Sequence, residues 1–269
     1  MNNINSTAFN EITVRHENGV LYIHFNRPQK KNAMNLKLVE EVMQCFQHTE
    51  EITDLRAVVI AGSEGNFCSG GDISDMHLSS LSESEKEQAI WHFNRSFGHM
   101  ITQVKHSPTP VIAVVQGAVL GGGFGLACVA DIAIACETAF FSLPETGLGI
   151  IPAQIAPFVA SRIGVDQTKR LALTGEKIDA QQALQLGLVH RVCPPSQLTQ
   201  QLTSEIKRIK RCAPTANKNT KRLLLGLNET PLEQLLDNAA DAFVNSLTCD
   251  EGVEGTKAFI QKRSPSWCE

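Results

Sequence analysis

Residues 111–152 read VIAVVQGAVLGGGFGLACVADIAIACETAFFSLPETGLGIIP, and this stretch decides the fold. Val111–Val115 is a short, uncharged apolar run, the pattern of a strand buried on both faces. Gln116-Gly117 interrupts it, and a second apolar segment runs into Gly121-Gly122-Gly123. Adjacent glycines lower helix stability and pack nothing, so they are used where φ is positive or where the backbone approaches another group closely. Apolar residues resume at once from Phe124 to Ala130, which predicts a buried helix starting at the glycines. The free N–H groups of such a start face a ligand carrying negative charge. Ile132 to Ala135 and Ala139 to Ser142 continue the strand layering. In Leu143-Pro144-Glu145 a carboxylate interrupts the apolar run. It either performs chemistry or is a strand-edge glutamate that is paired or solvated.

Upstream, Ile12 to His16 and Val20 to Phe25 form a hairpin pattern around Glu17-Asn18-Gly19. Asn35 is a suitable N-cap for a helix from Leu36 to about Glu50. Ala57 to Ala61 (AVVIA) is a second doubly buried strand, followed by the turn-rich loop GSEGNFCSGGD at 62–72. The polar segment HLSSLSESEKEQ is expected to be mobile, and a helix is expected over Ile90 to Val104. Downstream, helices are expected over Gln154 to Ile163, over Val165 to Leu173, and after Asp179 as far as Gly187, followed by a strand over Leu188 to Val192. Beyond Pro194-Pro195 only helical patterns remain, over 196–211, 214–225, 231–247 and 250–262. The reading is an α/β core over 1–195 and a C-terminal helical region over 196–269. The loosely recurring strand–strand–helix order suits a spiral of such units.

Of the 269 residues, 42% are hydrophobic and 19% charged, the balance of an ordinary globular chain. A net charge of −4 gives no global attraction for nucleic acid or an anionic membrane. The eight cysteines form no CxxC pair and several sit in apolar runs, as expected of reduced thiols in a cytoplasmic protein. The N-terminal MNNINSTAFNE is polar and holds no signal-peptide core. Gly117 to Ala130 is too short to span a bilayer. The histidines lack ligand spacing, so no metal site is expected. Lys207 to Arg222 carries seven basic residues and no acidic one. Such a helix binds RNA or is simply a solvated face; the absence of interleaved aromatics and the acidic whole chain favour the latter.

Two glycine-rich turns thus follow two buried strands: Cys68-Ser69-Gly70-Gly71-Asp72 after AVVIA, and Gly121-Gly122-Gly123 after VIAVV. If the strands are parallel neighbours, their C-terminal ends lie side by side, where α/β sheets bind ligands. One backbone N–H from each loop then points at a common atom, which is the geometry of an oxyanion hole. The alternative is that the glycines only permit tight turns. Neither loop is GxGxxG or GxxxxGK[ST], so nucleotide-phosphate binding is not indicated.

These segments, NFCSGGDISDM with VQGAVLGGGFGLACVADIAIA and FSLPETGLGIIP, strongly resemble the enoyl-CoA hydratase/isomerase (crotonase) family. FNRPQKKNAMN, LTGEKIDAQQALQLGLVHRV and EGTKAFIQKRSPSW extend the resemblance over nearly the whole chain in unbroken order. It implies a crotonase-like spiral of ββα units with C-terminal helices that pack across subunits, as homotrimers or hexamers. It implies an acyl-CoA substrate, with coenzyme A as part of the substrate and no other cofactor. By resemblance, the N–H groups of Ser69 and Gly122 hold the thioester carbonyl, and Glu145 is the general acid/base. Gly70, Gly71, Gly121 and Asp72 line or stabilise the same loops. Lys30, Lys31 and the Asn32-Ala33 turn follow the CoA nucleotide, and Phe243 and Lys262 match positions that reach a neighbouring subunit's CoA.

One departure matters. The first glutamate of typical hydratases falls two residues after the triple glycine, and here that position is Gly125. A single base suffices for moving a double bond, so isomerisation stands beside hydration, and an inactive acyl-CoA-binding scaffold or an RNA-binding protein is the reading from another class. GGGFGL with IPAQIAPFVASRIG looks more like methylglutaconyl-CoA and isohexenylglutaconyl-CoA hydratases, which also have glycine at the first site. Hydration of a branched or carboxylated enoyl-CoA is therefore the leading expectation, with Arg162 or Gln154 as possible contacts for a distal carboxylate.

Overall fold

A computed structural model describes residues 9–72 and 81–268. The chain opens with an antiparallel hairpin, β1 (Ile12–Glu17) and β2 (Val20–Phe25). Helix α1 (Leu36–His48) follows, capped by the Asn35 side chain, which accepts from the Leu38 N–H. Strand β3 (Ala57–Gly62) leads to α2 (Glu83–His106). This helix starts well before the expected Ile90, because Ser82 and Glu85 form a reciprocal capping box. The polar segment expected to be mobile therefore supplies a helix start over 83–88; residues 77–80 of it lie outside the described residues.

Next come β4 (Val111–Val115), β5 (Ala118–Leu120), α3 (Gly122–Val129), β6 (Ile132–Cys136) and β7 (Phe140–Ser142). Helices α4 (Ala156–Ile163) and α5 (Val165–Thr174), strand β8 (Ile178–Asp179), α6 (Ala180–Gln185) and β9 (Arg191–Cys193) complete the α/β part. The last strand sits later than the expected Leu188–Val192, since Leu188 and Val189 are buried in the turn before it. Among the described residues only helices follow: α7 (Leu198–Lys210), α8 (Pro214–Leu225), α9 (Leu232–Thr248) and α10 (Asp250–Ile260), with short single turns between and after them.

The strands form two layers. A six-stranded sheet runs β1-β2-β3-β4-β6-β9, parallel throughout except for the hairpin. A smaller sheet runs β5-β7-β8. Isolated bridges Met34–Gly71 and Cys68–Val119 extend the small layer backwards along the chain. Each turn of the chain thus lays one strand in the large sheet, one short extended piece in the second layer, and then a helix: β3 with Cys68 to Gly71 and α2, β4 with β5 and α3, β6 with β7 and α4. The spiral expected from the sequence is what the chain forms.

Strand alternation sorts the core. Val58 and Ile60 of β3, with Val111, Ala113 and Val115 of β4, face the main core between the large sheet and α1 to α3. Their alternates Val59, Ala61, Ile112 and Val114 face the opposite side, where Leu198, Leu202, Ile206 and Ile209 of α7 cover them. The three last helices differ: Phe243, Val244, Phe259 and Ile260 are exposed, the last two at 85% and 78%. No helix is long and apolar enough to cross a membrane among the described residues.

Candidate active site

The second layer brings the two glycine turns together. Because Cys68 bridges Val119, and β5 pairs with β7 at Leu120 and Ser142, the turn at 68–72, the triple glycine and the segment after Ser142 meet at one edge. The fit is close: a methyl placed on Gly121 would lie 3.7 Å from the Gly70 Cα and 2.7 Å from Glu145 Oε1. Gly121 also has φ +48°, so both the conformation and the contact require glycine.

The N–H groups of the first loop can be followed one by one. Cys68 N donates to Ala118 O at 2.9 Å, Ser69 N to Lys31 O at 3.1 Å, and Asp72 N to Met34 O at 2.8 Å. Gly70 N is 3.3 Å from Cys68 Sγ, a thiol that burial pushes up to about 12 and keeps protonated. Only Gly71 N has no acceptor among the described residues. The parallel bridge explains this: Met34 bonds to the residues on either side of Gly71, so Gly71's own N–H points away from Met34, and Gly71 lines the cleft. The Ser69 N–H, expected to hold the thioester oxygen, and the Ser69 hydroxyl are engaged here with the carbonyls of Lys31 and Lys30. In the second loop, Gly121 N donates to Ser142 O at 3.1 Å. Gly122, the first residue of α3, keeps an open N–H, as the first turn of a helix does.

Glu145 faces these groups. Its backbone forms a tight helical turn over Glu145–Leu148, closed by Gly149 in the left-handed region and fixed by Thr146 Oγ1 donating to Ala172 O at 2.6 Å. The carboxyl is half-buried, and Oε2 has no hydrogen-bond partner among the described residues. Burial raises the pKa of Glu145 above its ordinary value, opposed in part by its own backbone N–H. A raised pKa of this kind suits a carboxyl to both taking and returning a proton.

The position of the missing carboxylate is filled with hydrocarbon. A methyl on Gly125 would lie 2.6 Å from Ile155 Cγ2 and 3.0 Å from Ile101 Cδ1, so the apolar wall leaves no room for a side chain. The cleft itself has a volume of about 780 Å³. Ser69, Gly70, Gly71, Gly121, Gly122 and Glu145 are among its lining residues. Much of the rest of the lining is apolar, including Ile90, Trp91 and Phe93 of α2 and Leu148 and Ile151 just after Glu145.

Other expected residues separate from this group. Asp72 is buried and does not line the cleft; it pairs with Arg27 at 3.0 Å, which also holds Glu11 at 2.7 Å. It is a loop anchor rather than a substrate contact. Asn32 is fully buried and pins the loops through Ser63 O and Asn66 O, so it is turned inward from any ligand. Lys30 and Lys31 are exposed beside Ser69, and Ala33 is half-buried with its carbonyl accepting from Arg27. Phe243 and Lys262 lie on the exposed C-terminal helical surface and do not line the cleft of a single chain. Arg162 donates to Leu188 O and Ala130 O, away from the cleft, whereas Gln154 precedes α4 instead of starting it and lines the cleft. The basic run is interrupted: Lys221 is nearly buried against Asp131 at 2.7 Å, and Arg208 pairs with Glu205. No cluster of three or more His, Cys, Asp or Glu suited to a metal occurs among the described residues.

Comparison with known proteins agrees with this architecture. Residues 15–269 match the enoyl-CoA hydratase/isomerase family model. A crystal structure of an enoyl-CoA hydratase/isomerase from Marinobacter aquaeolei superposes with a TM-score of 0.92 at 46% identity, over 96% of this chain and 99% of that one. AtuE of Pseudomonas aeruginosa gives 0.93 at 46% identity, over 97% of this chain and 100% of that one. A short-chain-enoyl-CoA hydratase of Clostridium acetobutylicum is 32% identical over 256 residues, 94% of this chain and 96% of its own length. The chain belongs to the enoyl-CoA hydratase/isomerase family.

Proposed function

We propose that this protein is an acyl-CoA hydratase that adds water across the 2,3 double bond of an enoyl-CoA thioester. In this reading the Gly71 and Gly122 N–H groups receive the thioester oxygen as it gains enolate charge. An N–H of this kind is worth about 10²–10³ in rate. Glu145 removes the proton of the attacking water and delivers a proton to the α carbon. The observation that carries the reading is the Glu145 carboxyl packed over Gly121, in one cleft with the open N–H groups of both glycine loops. Family relatives named as enoyl-CoA hydratases support it. Steady-state kinetics on crotonyl-CoA, 3-methylglutaconyl-CoA and a 3-enoyl-CoA test it. Formation of a 3-hydroxyacyl-CoA is expected, and no turnover of any of the three would end it.

A second reading is favoured by one specific observation. Gly125 and its apolar surroundings leave no second carboxylate beside Glu145 at that position; among the described residues the cleft's other carboxylate is Glu87 of α2, and Asp72 is buried away from it. One base is enough to move a double bond between carbons, and the 3-enoyl substrate distinguishes this isomerase from a hydratase. The branched or glutaconyl-type acyl group belongs to the proposal, as does a cytoplasmic location for a chain of unpaired thiols.

We also propose that residues 1–195 form the catalytic spiral and 196–269 serve oligomerisation. The exposed apolar faces of α9 and α10 support a homotrimer or hexamer, since single soluble chains rarely leave so large a patch uncovered. In that assembly Lys30, Lys31 and Ala33 follow the CoA nucleotide, with Phe243 and Lys262 arriving from a neighbouring copy.

A further inference from the structure

Among the mainly apolar lining of the cleft stands one group of polar side chains that the proposed reaction does not use. Gln154 Nε2 donates to Asn94 Oδ1 at 2.9 Å, and Arg95 Nη1 donates to Gln154 Oε1 at 3.4 Å. Asn94 and Gln154 both line the cleft. The arrangement is self-consistent: the guanidinium fixes which end of the Gln154 amide is oxygen, and this in turn fixes the Asn94 amide. Both amide oxygens are then occupied. What remains is donors only: the Asn94 Nδ2 hydrogens, the second Gln154 Nε2 hydrogen and the rest of the guanidinium.

Arg95 is half-buried, and no carboxylate stands within ion-pair distance of it among the described residues. The backbone makes room for the group. Gly98 lies inside α2, where glycine is destabilising relative to alanine. A methyl there would lie 2.0 Å from Gln154 Oε1 and 2.7 Å from Arg95 Nη1. The charged residues that line the cleft are Glu145 and Glu87, the latter exposed about two helical turns earlier on α2.

We propose that Asn94, Arg95 and Gln154, seated over Gly98, form a specificity subsite for a carboxylate on the acyl chain, so that the preferred thioester is that of a dicarboxylic acid. This rests on the acyl-CoA reading above. A surplus of donors with a positive charge and no anion matches an anionic acceptor. An attacking water needs an acceptor for its proton, and Glu145 already supplies it.

The test is equilibrium binding of two saturated thioesters of equal chain length, glutaryl-CoA and pentanoyl-CoA, with free CoA as the fold control. The wild-type chain is expected to bind glutaryl-CoA at least about tenfold more tightly, as one charge-assisted contact provides. Arg95→Met and Gln154→Leu should bring that ratio close to one while free CoA binds as before. Gly98→Ala should do the same without removing any polar group, because it displaces the ends of flexible side chains in a helix that alanine favours. Equal affinity for the two thioesters in the wild type would overturn the subsite, as would variants that weaken both thioesters alike. An intact ratio without hydration would instead sink the hydratase reading, and hydration with a ratio of one would sink only the subsite.

Discussion

Position 145 lines the cleft and position 125 is buried three residues along α3 from the cleft-lining Gly122, and the two have opposite surroundings. Glu145 sits on a tight turn with its carboxyl against Gly121, half-buried and with one oxygen unbonded. Gly125 lies in the second turn of α3, closed in by Ile155 and Ile101. The difference teaches that position 125 is not an open vacancy: hydrocarbon closes it, so in the proposed reaction acid/base chemistry falls to one carboxyl. The same contrast separates the two ends of the chain on a larger scale, with a closed spiral core and C-terminal helices that leave Phe243 and Phe259 uncovered.

The sharpest way to break the comparison is Glu145→Gln. Turnover of enoyl-CoA should fall by about 10²–10⁴, the range for a lost general acid/base, with little change in substrate affinity measured by calorimetry. Gly121→Ala should come next, with a loss of about 10² in kcat, because the methyl meets Glu145 Oε1 and the residue stands at positive φ. Gly125→Glu asks whether the other position accepts a carboxylate. It should destabilise the fold by about 2–4 kcal/mol in urea unfolding without raising the hydration rate, since it both overpacks the wall and buries a charge.

The smallest effect is on stability against pH. Burial raises the Glu145 pKa in the folded chain, so folding favours its protonated form. That contribution is fully present below the ordinary glutamate pKa and is lost as pH rises through the raised one. Glu145→Gln should therefore melt higher than the wild type at neutral pH, with the gap closing in acid. Wild-type kcat should fall on acidification through that same raised pKa.

Much of this was legible in the sequence, for identifiable reasons. AVVIA and VIAVV are uncharged runs that only a doubly covered strand accommodates, and their parallel pairing brings the two glycine turns together. Glu145 stood out as a charge in an apolar run. Less legible was which N–H of Cys68-Ser69-Gly70-Gly71-Asp72 remains open. That depends on Met34 bridging Gly71 and on Lys31 accepting from Ser69, contacts between segments far apart in sequence. Asp72 reads as a loop-end carboxylate, and its burial against Arg27 follows from tertiary packing. The role of Gly98 was also hidden, because a single glycine in a helical pattern gives no sign that an amide and a guanidinium lie over it. The early start of α2 has a local signal, since Ser82 and Glu85 spell a capping box.

The central claim is that water is added at this cleft and that Glu145 alone among carboxylates moves the proton. Incubating the wild type and Glu145→Gln with crotonyl-CoA in ¹⁸O-labelled water, and weighing the product by mass spectrometry, tests it most directly. The account predicts labelled 3-hydroxyacyl-CoA from the wild type and almost none from the variant over the same time. Label incorporated equally by both proteins, or consumption of a 3-enoyl-CoA with a shifted double bond and no label from either thioester, would contradict it.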